Sequence, residues 1–246
     1  MAELVYDNTG RLLFTKEMKE EYTLLVPQML PMHFAMLVRV IQTMGYKVEM
    51  LNTSGKSIVD YGQKYVHNDA CYPAILVIGQ LIDAVKSGKY DPHKVALVIT
   101  QTGGGCRASN YIHMLRKALE KADLAYVPVI SVNMSGLEKN PGFTLTLPFI
   151  RKALYAVFYG DLIMNVSNQV RPYEITPGDT ERAIQACMDF LLDDMGRGKG
   201  MSYKSMVTNF DRIIDRFQAI PVTGEEKVRV GVVGEIYVLS LIHISE

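Results

Sequence analysis

Short apolar runs alternate with longer segments of helical spacing along the first half of the chain, and this alternation limits the possible folds more than any other feature. The runs that we expect to be strands are residues 22–27, 46–51, 94–100 and 127–133. The run KVALVIT at 94–100 is almost continuously apolar, which is typical of a strand buried on both faces of a parallel sheet. Strands that alternate with helices form parallel sheets with helices packed on both faces. The sequence therefore predicts an α/β fold.

Three helices are expected between these strands. Residues 32–44 carry apolar side chains at helical spacing, and Gly45 follows as a helix-ending residue. Pro73 suits the first turn of a helix that ends before Gly88. Residues 107–123 are amphipathic. The predicted unit is therefore a parallel sheet in which helices connect successive strands.

The pattern changes after Pro141, where three helical segments follow one another without strands. We expect helices at 147–169, 179–195 and 203–219, and a strand at 228–233. The expected organisation is the tail of an upstream region at 1–19, a first α/β domain at 20–140, a helical segment at 141–225 and the start of a truncated second α/β domain at 226–238.

Both ends of the chain have features of a fragment. Residues 5–15 resemble a hairpin with a turn at 8–10, and no partner strands for it are evident. The last eight residues, LSLIHISE at 239–246, are what one reading frame of a common transposase sequencing adapter encodes. We expect them to be an adapter artefact, read through at the end of a truncated gene. The alternative is a natural short apolar tail.

The composition excludes several classes of function. Twenty-six basic residues balance 26 acidic ones, so the chain lacks the basic excess typical of nucleic-acid binding. No apolar run is long enough to span a bilayer, and the N-terminus does not resemble a signal peptide. We therefore expect a cytoplasmic protein without membrane or nucleic-acid partners. The three cysteines then are core thiols, metal ligands or nucleophiles rather than disulfide partners.

The loop after the third predicted strand is the first candidate site. It contains three consecutive glycines, Gly103, Gly104 and Gly105, followed by Cys106 and Arg107. Glycines let backbone N–H groups approach a ligand, and the positive end of the following helix favours an anion or a thiolate. A cation at Arg107 is unfavourable there unless an anionic group compensates it. The alternatives are a tight turn with an incidental cysteine and a solvent-screened arginine.

Cys71 lies in a second loop, just before the predicted start of a helix at Pro73. Loops at the carboxyl ends of parallel strands lie at one edge of the sheet, so Cys71 and Cys106 are expected to face a common cavity. Thiolates at helix starts favour iron–sulfur ligation over a disulfide in this composition. The alternative for Cys71 is a small apolar residue under the turn. Cys187 lies on the apolar face of a predicted helix and is expected to be a core thiol.

Four segments resemble a known protein family. They are NDACYPAILVIGQ (68–80), VITQTGGGCRASNY (98–111), PVISVNMSGLEKNPGF (128–143) and YGDLIMNVSNQVRPYE (159–174). Together they resemble the 2-hydroxyglutaryl-CoA dehydratase-like region of the large acyl-CoA dehydratase activase-related proteins. The resemblance covers residues 20–238, and its CYP and TQTGGGCR motifs are the most specific.

The resemblance implies a function and a cofactor. Dehydratases of this group bind a four-iron four-sulfur (4Fe-4S) cluster through cysteines of separate loops. The resemblance also implies an ATP-dependent activator module, fused upstream in the full-length protein. The activator supplies one electron, which permits loss of water from a 2-hydroxyacyl-CoA through a ketyl radical. Cys71 and Cys106 match the cysteine positions, with Gly103, Gly104, Gly105 and Arg107 as expected cofactor-binding neighbours. A third cysteine ligand is expected beyond this chain, and catalytic residues are not assigned.

Two other interpretations remain open at this stage. One is a non-catalytic iron–sulfur module for electron relay or partner binding. The other is a nucleotide- or CoA-binding α/β domain with incidental cysteines. The ATPase motifs of the activator are missing from the sequence, so ATP hydrolysis by this chain is not expected in any of these cases.

Overall fold

The alternating apolar runs form the strands of one parallel sheet. The computed structural model describes residues 2–101, 107–133 and 138–228, together with 230, 231, 233 and 234; the side chain of Arg107 is outside this description. The strands are β1 (Thr23–Val26), β2 (Lys47–Met50), β3 (Val95–Thr100) and β4 (Val129–Val132). Their spatial order is β2-β1-β3-β4, and every neighbouring pair is parallel. The predicted α/β fold is confirmed.

Helices connect and follow these strands. They are α1 (Lys16–Glu21), α2 (Pro31–Gln42), α3 (Lys56–Tyr65), α4 (Tyr72–Lys86), α5 (Tyr111–Lys121), α6 (Leu147–Val170), α7 (Asp179–Gly196) and α8 (Tyr203–Gln218). A short 3-10 turn, Arg107–Asn110, precedes α5, so the predicted helix at 107–123 begins with a tighter turn. Among these helices, none combines the length and the apolarity that a membrane crossing requires.

The described part of the chain packs as two compact units. The first takes the described residues of Met1–Leu30, Tyr46–Leu145 and Val233–Glu246. The second takes those of Pro31–Gly45 and Thr146–Val232. Helix α2 thus belongs to the same unit as α6, α7 and α8, although the sequence places it between two strands of the sheet.

The sheet of the first unit is buried on both faces, as the continuous apolar strands predict. On β3, Val95, Leu97 and Ile99 pack with α4 and α5 in one cluster. Ala96 and Val98 point to the opposite face and are also buried. Side chains alternate across a strand, so burial of consecutive residues requires cover on both sides. The packing explains why β3 has no polar alternation.

Helix α3 packs so tightly on α4 that two glycines touch the neighbouring backbone. A Cβ atom on Gly62 would overlap the carbonyl oxygen of Ile75, and one on Gly79 would overlap that of Ile58. The periodicity did not predict α3. Its buried stripe is only Ile58, Gly62 and Tyr65, and the glycine at its centre removes the apolar pattern.

The second unit is a helical assembly, as predicted for residues 147–169, 179–195 and 203–219. Its largest fully buried side chain is Tyr159 of α6. The Tyr159 hydroxyl donates to the carbonyl of Gly200 at 2.6 Å and accepts from the amide of Asn209 at 3.2 Å. These bonds satisfy the polar end of an otherwise apolar core residue.

Two expectations concern the ends of the chain. The N-terminal hairpin is confirmed as a minimal one, with a single antiparallel bridge between Tyr6 and Leu12. The strand expected at 228–233 is corrected where the structure describes it, because Val228, Val230 and Val233 are in no strand and are exposed. A strand needs a neighbour for its backbone hydrogen bonds, and no described strand pairs with these residues. Residues 239–246 lie outside the described part.

Candidate functional site

The candidate site lies at the carboxyl edge of the sheet, where the four parallel strands end. Buried polar side chains gather at this edge, in contrast to the apolar strands that lead to it. Gln80 of α4 is fully buried there. Its side-chain oxygen accepts from the backbone N–H of Gln28 at 2.9 Å, and its amide donates to the carbonyl of Thr53 at 2.7 Å. Gln80 therefore ties the loops that follow β1 and β2 to α4.

A second polar chain joins the ends of β3 and β4. The Ser131 hydroxyl donates to Gln101 Oε1 at 2.8 Å, and Asn133 Nδ2 donates to the Ser131 hydroxyl at 2.7 Å. The Gln101 amide donates to the carbonyl of Ser109 at 3.0 Å. Gln101 and Ser109 flank the glycine-rich loop on either side. These hydrogen bonds therefore connect the residues on either side of that loop, Gln101 and Ser109, to β4.

Cys71 caps the start of α4 at the same edge. Its carbonyl accepts from the backbone N–H of Ala74 at 3.0 Å. Its Sγ atom lies 2.9 Å from the hydroxyl oxygen of Tyr111, the first residue of α5, and the thiol is partly exposed. A helix start presents backbone N–H groups and positive potential, a setting in which cysteines act as metal ligands or nucleophiles. Cys71 thus meets the chemical requirement for a metal-binding or reactive sulfur.

The other predicted site residues are only partly described. Gly103, Gly104, Gly105 and Cys106 lie outside the described residues, and so does the side chain of Arg107. Whether Cys71 and Cys106 share a cavity therefore stays a prediction. The described contact is the one between Cys71 and Tyr111. Tyr111 follows Cys106 by five positions, so Cys71 touches a residue that is close to the glycine-rich loop in the sequence.

The donor set can be tested against an iron–sulfur cluster on the described residues. Cys71 fits as one thiolate ligand by its position and exposure. Within the described part of the chain, no three side chains of His, Cys, Asp or Glu come together in a way that could hold a metal ion. Cys71 therefore fits as one ligand of a set that the described residues do not complete.

Cys187 has the core position that its helical spacing predicts. It lies in the middle of α7 in the second unit and has no exposed surface. Burial raises the pKa of the Cys187 thiol to about 11, against a weaker opposing effect of the Arg216 and Arg212 charges. A thiol that ionises so poorly is a weak ligand and a weak nucleophile.

Sequence reasoning missed the residues that organise the edge, namely Tyr111, Gln80, Gln101, Ser131 and Asn133. Two of them had a usable indication. Ser131 interrupts an apolar strand and Gln80 interrupts an apolar helix, and a polar residue in such a run requires a buried hydrogen-bond partner. Comparison of this chain with protein-family models, curated protein sequences and solved structures gives no match.

Proposed function

We propose that this chain is part of an iron–sulfur protein of the 2-hydroxyacyl-CoA dehydratase and activase-related type. Cys71 and Cys106 are then two cysteine ligands of a 4Fe-4S cluster, and Gly103, Gly104, Gly105 and Arg107 are its loop neighbours. One observation supports this proposal most. The Cys71 sulfur, at the start of α4, lies 2.9 Å from a hydroxyl at the start of α5, the helix that follows the cysteine-containing glycine loop.

The surroundings of Cys71 suit a ligand thiolate. The start of a 15-residue helix stabilises negative charge on the sulfur. The Tyr111 hydroxyl, which is buried, provides a hydrogen-bond donor to that charge. Hydrogen bonds to ligand sulfurs tune the reduction potential of iron–sulfur clusters. When bound, such a cluster supplies single-electron transfer.

The proposed reaction is the loss of water from a 2-hydroxyacyl-CoA. The C2–OH bond and the C3–H bond break, a C2–C3 double bond forms, and the hydroxyl and the proton leave as water. This overall change is redox-neutral, so the electron from the ATP-dependent activator is returned at the end of each cycle. We assign no catalytic acid or base to a residue of this chain.

The iron content of cysteine variants tests the cluster. The complete protein, which includes the expected third cysteine ligand, and its Cys71→Ser, Cys106→Ser and Cys187→Ser variants are produced and purified without oxygen, and iron and acid-labile sulfide are measured per protein. Loss of a ligand is expected to lower cluster retention by more than about tenfold in the first two variants. Cys187→Ser is the matched control and is expected to retain the wild-type content.

Two results would contradict the cluster proposal. One is a complete wild-type protein that takes up no iron and sulfide after anaerobic reconstitution. The other is full occupancy in Cys71→Ser. Either result would favour the nucleotide- or CoA-binding interpretation, in which both cysteines are incidental.

The second candidate is a non-catalytic iron–sulfur module for electron relay or partner binding. The described contact of the Cys71 sulfur is consistent with it, because a hydroxyl beside a ligand sulfur can tune the reduction potential of a cluster without taking part in a reaction. Turnover of a 2-hydroxyacyl-CoA with a reduced activator separates the two candidates. A cluster that accepts an electron without product formation would support the relay module.

A further inference from the structure

A cavity of about 790 Å³ lies in the first unit, on the side of α5 that faces away from Cys71. His113, Arg116, Lys117 and Glu120 of α5 line it. These positions are roughly opposite to Tyr111 around the helix axis, at 3.6 residues per turn. The other walls come from the N-terminal hairpin, the residues before β4 and the segment at 138–139. This cavity is separate from the polar edge of the sheet.

The floor of the cavity is a neutral ion-pair network. Both oxygens of Glu138 bind the guanidinium of Arg116, at 2.7 and 2.6 Å, and one of them also binds Arg11 at 3.0 Å. Arg11 further binds Asp7 at 2.9 Å. Burial acts to raise the pKa of Glu138, but the hydrogen bonds and charges of Arg116 and Arg11 outweigh it and leave that pKa below its usual value. The floor therefore has two cations and two carboxylates that compensate each other.

The rim carries the charges that remain. Lys117 and Lys139 are exposed there, against a single carboxylate at Glu120. Because the charges of the floor cancel, the net charge of the cavity is that of Lys117, Lys139 and Glu120, which is +1 without His113. Charges that line a concave surface focus the field on an incoming ion of opposite sign. The rim therefore favours an anionic group.

The remaining wall is apolar. Its exposed surface comes from the ring of Tyr6 and the methyl group of Ala125. The other apolar lining residues are buried and add little exposed area, namely Leu12, Leu119, Val127 and Val129. Sites for cofactor-sized ligands are typically about 300–1,000 Å³ and combine such a wall with a few polar groups. The volume and the lining of this cavity fall within that class.

We propose that this cavity binds a phosphate-bearing ligand of nucleotide size, with its phosphate at Lys117 and Lys139 and its aromatic base against the exposed ring of Tyr6 and the methyl group of Ala125. This site goes beyond the proposed function, because it includes no cysteine. Two sources share the ligand chemistry. They are CoA, whose relevance rests on the proposed function, and an adenine nucleotide, which does not depend on it.

Calorimetric titration of the full chain tests the site with three probes, namely CoA, ADP and inorganic phosphate. CoA or ADP is expected to bind, and inorganic phosphate to bind at least about tenfold more weakly because it cannot use the apolar wall. Lys117→Glu is expected to weaken binding of the preferred probe by about tenfold. The matched control is Lys121→Glu, which makes the same charge change on the same helix outside the cavity.

A steric variant complements the charge change. Ala125 is an exposed residue of the cavity wall, so Ala125→Trp fills the apolar side without a change in the core. It is expected to abolish binding while leaving the thermal unfolding midpoint within a few degrees of wild type. Iron content is measured in parallel and is expected to stay unchanged in Lys117→Glu, so the failure of this site and of the cluster proposal are distinguishable.

Three outcomes would overturn the inference. The wild-type chain binds neither CoA nor ADP, or Lys121→Glu weakens binding as much as Lys117→Glu, or Ala125→Trp binds as wild type does. Preference for CoA over ADP would connect the cavity to the proposed acyl-CoA chemistry. Preference for ADP would identify a nucleotide site independent of it.

Discussion

The chain contains two described cysteines that differ in their position along a helix, their exposure and their polar contacts. Cys71 caps the start of α4, is partly exposed and touches the hydroxyl of Tyr111. Cys187 lies inside α7, is fully buried and packs among apolar side chains. A helix start presents backbone N–H groups to a sulfur, whereas the middle of a helix has none to offer. The position along a helix therefore distinguishes the two thiols. Cys71 is the candidate for metal binding or reaction, and Cys187 is a packing residue of the core.

The largest expected effect is in alkylation rates. With native chain at pH 8, iodoacetamide is expected to modify Cys71 at least about 1,000-fold faster than Cys187, because a buried thiol with a pKa of about 11 is rarely ionised and reacts only after local opening. Peptide mass spectrometry over time measures both rates in one sample. Similar alkylation rates would show that the two thiols do not differ in reactivity. In denaturant, the rates are expected to converge.

The second effect is a loss of stability at high pH. The pKa of Cys187 is about 11 in the folded chain and near the ordinary thiol value of 9.0 when unfolded. The thiol therefore contributes stability below pH 9, and this contribution falls by about 2–3 kcal/mol as the pH rises through 11. Urea unfolding of wild type and Cys187→Ala between pH 8 and 11 measures the difference. The same pH dependence in wild type and Cys187→Ala would contradict this contribution.

The third prediction perturbs the first unit alone. Gly79→Ala places a methyl group against the Ile58 carbonyl, where α3 and α4 touch, and is expected to destabilise the unit by about 2 kcal/mol. Amide hydrogen exchange is expected to rise in α4 and not in α7. Gly224→Ala is the control, because its added methyl group meets open space. Equal effects of both substitutions would contradict the close helix contact.

The smallest effect concerns the hydrogen bond to the site thiol. Tyr111→Phe removes the hydroxyl beside Cys71 and is expected to cost about 1 kcal/mol of stability. It is also expected to slow alkylation of Cys71 at neutral pH severalfold and to leave Cys187 unchanged. Tyr126→Phe removes a hydroxyl elsewhere in the same unit and serves as control. An unchanged Cys71 rate would show that the hydroxyl does not stabilise the thiolate.

Much of the fold could be predicted from local patterns. The four strands, together with α2 and α4 to α8, follow from periodicity and from glycine and proline at helix ends. Helices α1 and α3 could not be predicted, because one is only six residues long and the other has glycine in its buried stripe. The place of α2 was also not predictable, since its grouping with α6 and α7 rests on packing between residues more than 100 positions apart.

At the candidate site, too, some features could be predicted from the sequence and others depend on the tertiary structure. The sequence alone determined the parallel α/β fold, the helix start at Cys71 and the core position of Cys187, because periodicity and helix-end chemistry are local. Only the tertiary structure brought Tyr111 to Cys71, Gln80 to the ends of β1 and β2, and Gln101 to Ser131. These pairs are separated by 27 to 52 positions. A buried polar group requires a hydrogen-bond partner. The sequence shows which residues are polar, but only the packing of the strands determines which residue becomes the partner of each one.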